Sequence, residues 1–217
     1  MKLYHGSTEI VKEPSLNKGK SYNDYGRGFY CTFDKELAKE WAAQKNRPGF
    51  VNSYELDLDK LNVLDLRDKQ YSVLNWVAFL LANRTFDSQT SLLDTYRKQF
   101  LDKYLLDKSK YDVIIGYRAD DSYFAYASAF LTNSIPLSIL EKALVLGDLG
   151  IQIVLISPKA FDLIKYVDKE EVDNIIYYPK FFSRDYKARK EYRKIISKTS
   201  LKKNDVFVLD LLRGNKK

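Results

Sequence analysis

YHGS at residues 4–7 and YGRGFYCT at residues 25–32 are the two stretches on which the fold prediction for this chain rests. His5 is the only histidine and stands directly before Gly6. Tyr30 lies in the second stretch, after Gly26 and Gly28. Glycine allows a ligand to approach the backbone closely. An imidazole beside such a step, followed by a glycine-bracketed aromatic ring, therefore indicates a pocket more than a packed core.

The composition is typical of one globular domain. The 217 residues include 45% hydrophobic and 30% charged residues, which suits a single domain spanning 1–217. No apolar run reaches the ~18 residues that a bilayer span needs, and the start of the chain lacks the apolar segment of a signal peptide. The single cysteine excludes an internal disulfide framework. We therefore expect a cytoplasmic bacterial protein with no membrane partner.

The positive charge is concentrated in the C-terminal segment. Residues 180–217 carry 13 Lys/Arg against 4 Asp/Glu, a net charge of +9, whereas residues 1–179 carry a net charge of −2. Such a basic segment can contact nucleic acid or an acidic partner. It can equally be the solvated face of a helix. The sequence leaves both interpretations open.

Hydrophobic periodicity predicts an α+β fold with short, scattered strands, because the regular βα alternation of a doubly wound sheet is missing. Asp34 is expected to cap the first helix. The predicted strands cover residues 2–5, 28–32, 51–58, 61–66, 112–117, 151–157 and 206–209. The predicted helices cover residues 34–44, 71–83, 91–106, 121–131, 159–166 and 184–197, with another that has Ser134 as a possible cap and ends at Gly147.

Several enzyme classes lack their signatures in this chain. One cysteine and one histidine cannot build a Cys/His zinc site, so no metal is expected. The nucleophile elbow of Ser-His-Asp hydrolases and the phosphate-binding loop of nucleotide hydrolases are both missing. The GRG at residues 26–28 leads into a strand rather than a helix, so it is not a dinucleotide fingerprint.

The order of the motifs resembles the ADP-ribosyltransferase superfamily. In that superfamily a His-Gly on the first strand and a Tyr on a glycine-led strand line an NAD pocket. The later segments YDVIIG at 111–116, RADD at 118–121 and GIQIV at 150–154, with a helix at 184–192, strengthen the likeness. Together they look like a bacterial family of uncharacterised domains related to these transferases and associated with toxin–antitoxin pairs. The resemblance implies a split β-sandwich core with peripheral helices and a basic C-terminal helical segment, residues 180–217, packed on it.

The resemblance also implies a site for NAD, which would be the substrate. His5 would hydrogen-bond a ribose hydroxyl, and the backbone at Gly6 would meet the nicotinamide amide. The Tyr30 ring would stack on nicotinamide, and Arg27 would contact the pyrophosphate. The implied NAD-binding residues are His5, Gly6, Ser7, Arg27, Gly28, Tyr30 and Thr32.

The third motif departs from the superfamily pattern. Most members place a Glu at the start of a late strand, where this chain has Gln152. A carboxylate stabilises a developing cation more than a neutral amide does. Either Gln152 suffices, or another carboxylate helps, for which Asp120 and Asp121 are the candidates. Those two residues could instead be a helix cap and its first-turn acid. The candidate catalytic residues are thus Gln152, Tyr30, Asp120 and Asp121.

The predicted function is that of an NAD-dependent mono-ADP-ribosyltransferase acting on a macromolecule, either a protein or a nucleic acid. The resemblance implies a toxin or effector, with a cognate antitoxin as a possible partner. Two alternatives stay open at this point. One is an NAD glycohydrolase on the same fold, and the other is a catalytically inactive module that binds NAD or nucleic acid.

Overall fold

The structure, a computed structural model, confirms the α+β class. It describes the whole chain except residues 46, 86–89, 120, 145, 147–149, 199 and 215–217, and only the backbone of residues 121, 122 and 185. The strands are β1 Lys2–Ser7, β2 Phe29–Cys31, β3 Gly49–Glu55, β4 Val63–Asp65, β5 Val113–Tyr117, β6 Ile151–Leu155 and β7 Lys165–Val172. The helices are α1 Lys35–Ala42, α2 Val73–Asn83, α3 Ser91–Tyr104, α4 Asp121–Leu131, α5 Leu137–Leu144, α6 Pro158–Leu163, α7 Asn174–Lys198 and α8 Val208–Leu212.

The strands form two sheets, which a backbone bridge between β1 and β2 joins among the described residues. The three-stranded sheet has the order β1-β3-β7 and is antiparallel throughout. The four-stranded sheet has the order β2-β6-β5-β4, in which only the β4–β5 pair is parallel. Tyr4 and Thr32 exchange two backbone hydrogen bonds of 2.9 Å, which place β1 beside β2. This bridge brings one strand of each sheet together.

The buried residues form two main clusters. One lies between the two sheets, where Leu3 and Tyr54 of the first sheet meet Phe29, Ile153 and Leu155 of the second. The larger cluster covers the opposite face of the four-stranded sheet with side chains of α2, α3, α4 and α5, and with Ala188 of α7. The four-stranded sheet is therefore covered by apolar groups on both faces.

Helix α1 packs directly on β1 because residue 6 is glycine. The Asp34 carboxylate accepts the backbone N–H groups of Glu36 and Leu37 at 2.8 and 3.2 Å, so the predicted cap is confirmed. A Cβ atom at Gly6 would lie 2.0 Å from the carbonyl oxygen of Ala38. The absence of a side chain at this position lets the helix axis come close and fixes where Trp41 stands.

Two sequence predictions near the C-terminus differ from the structure: one helix is present but ends early, and one strand is not formed. The helix predicted at 159–166 ends at Leu163, and the chain then forms β7 as an edge strand on β3. The charged side chains of this solvent-facing edge strand replace the alternation of apolar and polar residues by which a strand is recognised in a sequence. Charges on an edge strand also oppose aggregation. The strand predicted at 206–209 instead leads into α8, where the Asp210 carboxylate accepts the Phe207 N–H at 3.0 Å and closes the first turn.

Other predicted helix boundaries also differ from those in the structure. Helix α7 begins at Asn174, ten residues before the predicted start at 184, and contains Pro179. Ser134 is not a helix cap, because α5 begins at Leu137 and the Ser134 hydroxyl bonds the Thr132 hydroxyl at 3.0 Å. Gly147 lies outside the described residues. Within the part of the chain that is described, no helix combines the length and the apolar character that crossing a membrane requires.

The close approach of α1 to β1 gives a stability prediction. We expect Gly6→Ala to lower the free energy of unfolding by about 1–3 kcal/mol, the usual cost of overpacking, because the new methyl group would collide with helix backbone. Urea denaturation measures this change. Ser53→Ala, at a half-exposed position of the neighbouring strand, is the control and should stay within about 0.5 kcal/mol of the parent. Equal stability of the Gly6→Ala variant and the parent would contradict the packing.

Candidate functional site

A cavity of about 780 Å³ opens beside the point where the two sheets meet. Its walls come from strands β1, β2 and β6, from helix α1 and from the loop that follows β1. Helix α7 contributes the Phe181 ring. This volume lies in the range of small-molecule sites, roughly 300–1,000 Å³. The cavity is lined by His5, Gly6, Ser7, Glu9, Lys18, Lys20, Asp24, Gly28, Tyr30, Trp41, Arg84, Arg118, Phe181 and Gln152, among others.

His5 is held as a neutral ring with a defined tautomer. Its Nδ1 lies 2.7 Å from the backbone oxygen of Tyr30. A carbonyl oxygen can only accept, so Nδ1 carries the proton and Nε2 is left as an acceptor. Burial lowers the pKa of His5 below its ordinary 6.5, against the opposing effect of that hydrogen bond. The ring also packs on Phe29, with 4.4 Å between the ring centroids. At neutral pH His5 therefore offers an uncharged acceptor nitrogen.

The Tyr30 hydroxyl forms two hydrogen bonds with backbone groups of the protein. It donates to the backbone oxygen of Gly26 at 2.7 Å and accepts the Tyr25 N–H at 3.0 Å. Burial raises the pKa of the Tyr30 phenol above its usual value. The hydroxyl thus fixes the turn before β2, in which Gly26 has a φ of +83°. What Tyr30 presents to the cavity is its ring rather than a proton-transfer group.

Two side chains in the cavity wall carry polar atoms without a partner. Gln152, the second residue of β6, is 7% exposed, and its Oε1 is one of them. The indole Nε1 of Trp41 on α1 is another. Among the described residues neither atom has a hydrogen-bond partner. Each such buried group costs about 1–3 kcal/mol. One unsatisfied acceptor and one unsatisfied donor thus line a single cavity, as expected of a site that binds a polar ligand.

A buried carboxylate that the sequence interpretation missed also lines the cavity. Asp24 is 3% exposed, and its two oxygens accept the Arg84 Nε–H at 2.7 Å and the Ala119 N–H at 2.9 Å. Burial raises the pKa of Asp24, while Arg84 and the Ala119 N–H oppose that rise. Asp24 lies in an irregular loop, so no periodicity marks it. Its place directly before the YG of the second motif was the only local signal.

Among the residues that the structure describes, basic side chains outnumber carboxylates around the cavity. Four basic side chains line it, and the described acidic ones in the same wall are Glu9 and Asp24. The Arg118 guanidinium lies 5.1 Å from the Trp41 ring centre and 5.8 Å from the Phe181 ring centre. Arginine held against aromatic faces is well suited to phosphate groups. The basic lining residues are Lys18, Lys20, Arg84 and Arg118.

The structure brings together most of the predicted site. The three strands β1, β2 and β6 each place one of its central side chains in the cavity wall. Helix α1 occupies the space that a side chain at position 6 would fill. Gly6 can therefore offer a ligand only its backbone. The predicted residues that line the cavity are His5, Gly6, Ser7, Gly28, Tyr30 and Gln152.

Four predicted residues are not placed in the cavity wall. Arg27 is exposed and is not among the lining residues. Thr32 is buried behind the site, where its hydroxyl accepts the Asp34 N–H at 3.2 Å and its backbone pairs with Tyr4. Asp120 lies outside the described residues, and Asp121 is described only as the first backbone position of α4. The alternative of a helix cap for that pair therefore stays a prediction.

Comparison with models of known protein families matches most of the chain. A family model described as a protein of unknown function, DUF3990, matches residues 1–166. This range contains all three strands that carry His5, Tyr30 and Gln152, and it ends before α7. No curated protein and no solved structure matches the chain.

The lone histidine makes its protonation directly measurable. Proton NMR of the single imidazole Cε1–H should give a titration midpoint below 6.5 in the folded chain and about 6.5 in urea. Because the unfolded chain then binds a proton that the folded chain does not, the free energy of unfolding should fall as the pH drops from 6.5 through the lowered pKa. This part of the pH dependence should vanish in His5→Gln. A folded midpoint at or above 6.5 would show that the half-buried His5 ring is not held in its neutral form.

Proposed function

We propose that this chain, which belongs to the DUF3990 family of proteins of unknown function, is an NAD-dependent mono-ADP-ribosyltransferase. One observation carries the proposal. A neutral histidine acceptor, a tyrosine ring and an unpartnered glutamine oxygen come from three strands and line a single cavity. The sequence resemblance assigns the same three positions to NAD.

The arrangement of the sheets supports a finer proposal for the fold. Two sheets enclose a common apolar layer, and their strands β1 and β2 are joined by a single bridge. We infer that this is the split β-sandwich of the ADP-ribosyltransferases. The basic C-terminal helix then packs on the outside of that core, through Ala188 and Tyr192.

The cavity supplies a chemical complement for each part of NAD. His5 Nε2 can accept a hydrogen bond from a ribose hydroxyl, and the half-buried Tyr30 ring offers a stacking face to nicotinamide. Trp41 Nε1 and Gln152 Oε1 are a donor and an acceptor that hydroxyl or carboxamide groups would satisfy. The arginines favour the pyrophosphate.

The reaction breaks the bond between the ribose C1′ and the nicotinamide nitrogen. The electron pair of that bond stays on nitrogen, which makes the leaving nicotinamide neutral. A nucleophilic atom of the acceptor then bonds to C1′, and its proton passes to water. The Asp24 carboxylate, ion-paired with Arg84, lies in the wall of the same cavity in which C1′ becomes positive. Such preorganised charge is the main means by which sites of this type lower a barrier.

Water in place of the macromolecule would make the protein an NAD glycohydrolase. The neutral Gln152 keeps that alternative open, along with an inactive module that only binds NAD. Radiolabelled NAD incubated with cell lysate separates the three. Label on a macromolecule supports the transferase, free labelled ADP-ribose without it supports the glycohydrolase, and no nicotinamide release supports the inactive module. The roles as a toxin and as the partner of an antitoxin stay predictions.

NAD binding provides the first test. By calorimetry, we expect His5→Ala and Tyr30→Ala to weaken NAD binding at least tenfold, the equivalent of about 1.4 kcal/mol. Tyr30→Phe keeps the ring, so it should retain most of the affinity while losing stability, because the Tyr25 N–H loses its acceptor. Arg27→Ala, at the exposed position outside the cavity wall, is the control and should bind normally. Normal affinity in both alanine variants of the site would overturn the proposal.

The third motif provides the second test. Gln152→Glu should speed nicotinamide release about tenfold, because a charge-assisted hydrogen bond exceeds a neutral one by roughly 1.4 kcal/mol. Gln152→Ala should slow the release, since it removes the hydrogen-bonding group. Steady-state kinetics with NAD should place both changes mainly in kcat. If both variants release nicotinamide at the parent rate, Gln152 does not act on the reacting ribose.

A further inference from the structure

Helix α7 presents one face to the core and leaves a basic face outside. Ala188 is fully buried, and the Tyr192 ring lies 3.8 Å from the Tyr126 ring, measured between centroids. Arg184 reaches Glu40 of α1, with 2.8 Å between Nη2 and Oε1. These contacts fix the rotation of the helix on the domain. They also define which residues face solvent.

Two stripes run along the solvent side. The first is made of lysines spaced seven, three and four residues apart, which places them on one side of a helix. At a rise of 1.5 Å per residue, this lysine stripe is about 21 Å long. The second combines aromatic rings with guanidinium groups at spacings of four, three and four. The lysine stripe is Lys180, Lys187, Lys190 and Lys194, and the aromatic stripe is Phe182, Tyr186, Arg189 and Arg193, all of them exposed.

The first half of α7 also carries one residue of the candidate NAD cavity. Phe181, next to Lys180 in the chain, lines the cavity and stacks near Arg118. Lys180 and Lys187 line a neighbouring surface groove of about 530 Å³, together with Glu40 and Arg184. The N-terminal end of the lysine stripe therefore lies on the same turn of α7 as the ring that lines the cavity.

The exposed rings separate a nucleic-acid surface from a merely solvated one. Phe182 and Tyr186 are 51% and 66% exposed in the midst of cations. A merely solvated helix face gains nothing from exposed aromatic rings, because its charges alone keep it hydrated. Cationic grooves with interleaved aromatic rings are the common design for binding single-stranded nucleic acid, in which bases stack on the rings.

We propose that the outer face of α7 binds single-stranded nucleic acid, and that this nucleic acid is the acceptor of ADP-ribose. The second half of this inference rests on the proposed function, whereas the binding half does not. In the transfer, the C1′–nicotinamide bond of NAD breaks with its electron pair on nitrogen. A base nitrogen or oxygen bonds to C1′, and the proton of that base atom passes to water.

Binding is tested on the full chain without NAD. Fluorescence anisotropy with a labelled oligothymidylate of about 20 nucleotides should show a logarithmic salt slope near −2.8 if all four lysines contact phosphates, at roughly −0.7 each. Lys187→Ala with Lys190→Ala should reduce the slope by about 1.4. The double variant Lys98→Ala with Lys110→Ala removes the same charge from exposed sites outside α7 and is the control. An equal loss in both double variants, or no binding by the parent, would overturn the proposal.

The ring at position 186 distinguishes nucleic acid from an acidic protein. Tyr186→Ala should weaken oligothymidylate binding about 5- to 150-fold, the range reported for one base stacked on an aromatic ring, and Tyr186→Phe should restore it. Polyglutamate serves as the acidic-protein probe. If polyglutamate competes as well as oligothymidylate and Tyr186→Ala changes neither, the face binds acidic polymers in general and the proposal is wrong.

The acceptor is tested with labelled NAD and either heat-denatured chromosomal DNA or total RNA. Label should enter nucleic acid with the parent chain, and the entry should fall sharply in the Lys187/Lys190 variant while its calorimetric affinity for NAD is unchanged. Failure of NAD binding in the parent would refute the proposed function and leave the oligothymidylate result standing. Normal NAD turnover without label in either nucleic acid would refute only the acceptor.

Discussion

The junction between β1 and β2 is the contact on which the rest of the site depends. Tyr4 and Thr32 hold the two strands together through backbone hydrogen bonds, and His5 adds a third bond one residue later by donating to the Tyr30 carbonyl. Among the described residues, β1 pairs with β2 only through Tyr4 and Thr32. The next residues of β1, His5 to Ser7, therefore line the cavity on the β2 side while they stay paired with β3 on the other. The same bond fixes the histidine tautomer. The junction of β1 and β2 therefore fixes both the pairing of the two strands and the orientation of the His5 ring.

On the proposed function, that geometry favours positioning roles over acid–base roles for His5 and Tyr30. A His5 ring that donates from Nδ1 and has a lowered pKa keeps its Nε2 as an acceptor throughout the neutral range. The Tyr30 hydroxyl already bonds two backbone groups, so moving its proton would disturb the turn that shapes the cavity. Both residues can hold a substrate. The charge in the wall comes from other side chains.

The sequence predicted what depends on local signals. Asp34 was recognised as a cap because its partners lie two and three residues away, and Gln152 was placed on the right strand because β6 is a continuous apolar run. Asp24 was missed because Arg84 and Ala119, its partners, lie 60 and 95 residues along the chain. Strand β7 was missed because it lies at a sheet edge, where charged side chains replace apolar alternation.

The presence of Asp24 in the same cavity offers an explanation for a glutamine, rather than a glutamate, at position 152. A buried carboxylate is costly unless it is paired, and Asp24 meets that condition through Arg84 and a backbone N–H. A second carboxylate at the buried position 152 would carry a desolvation cost of its own in the free protein. A glutamine avoids that cost and still offers an oxygen to a hydroxyl. On the proposed function, the negative charge and the orientation of the ribose would thus come from two residues, where most of the superfamily uses one glutamate.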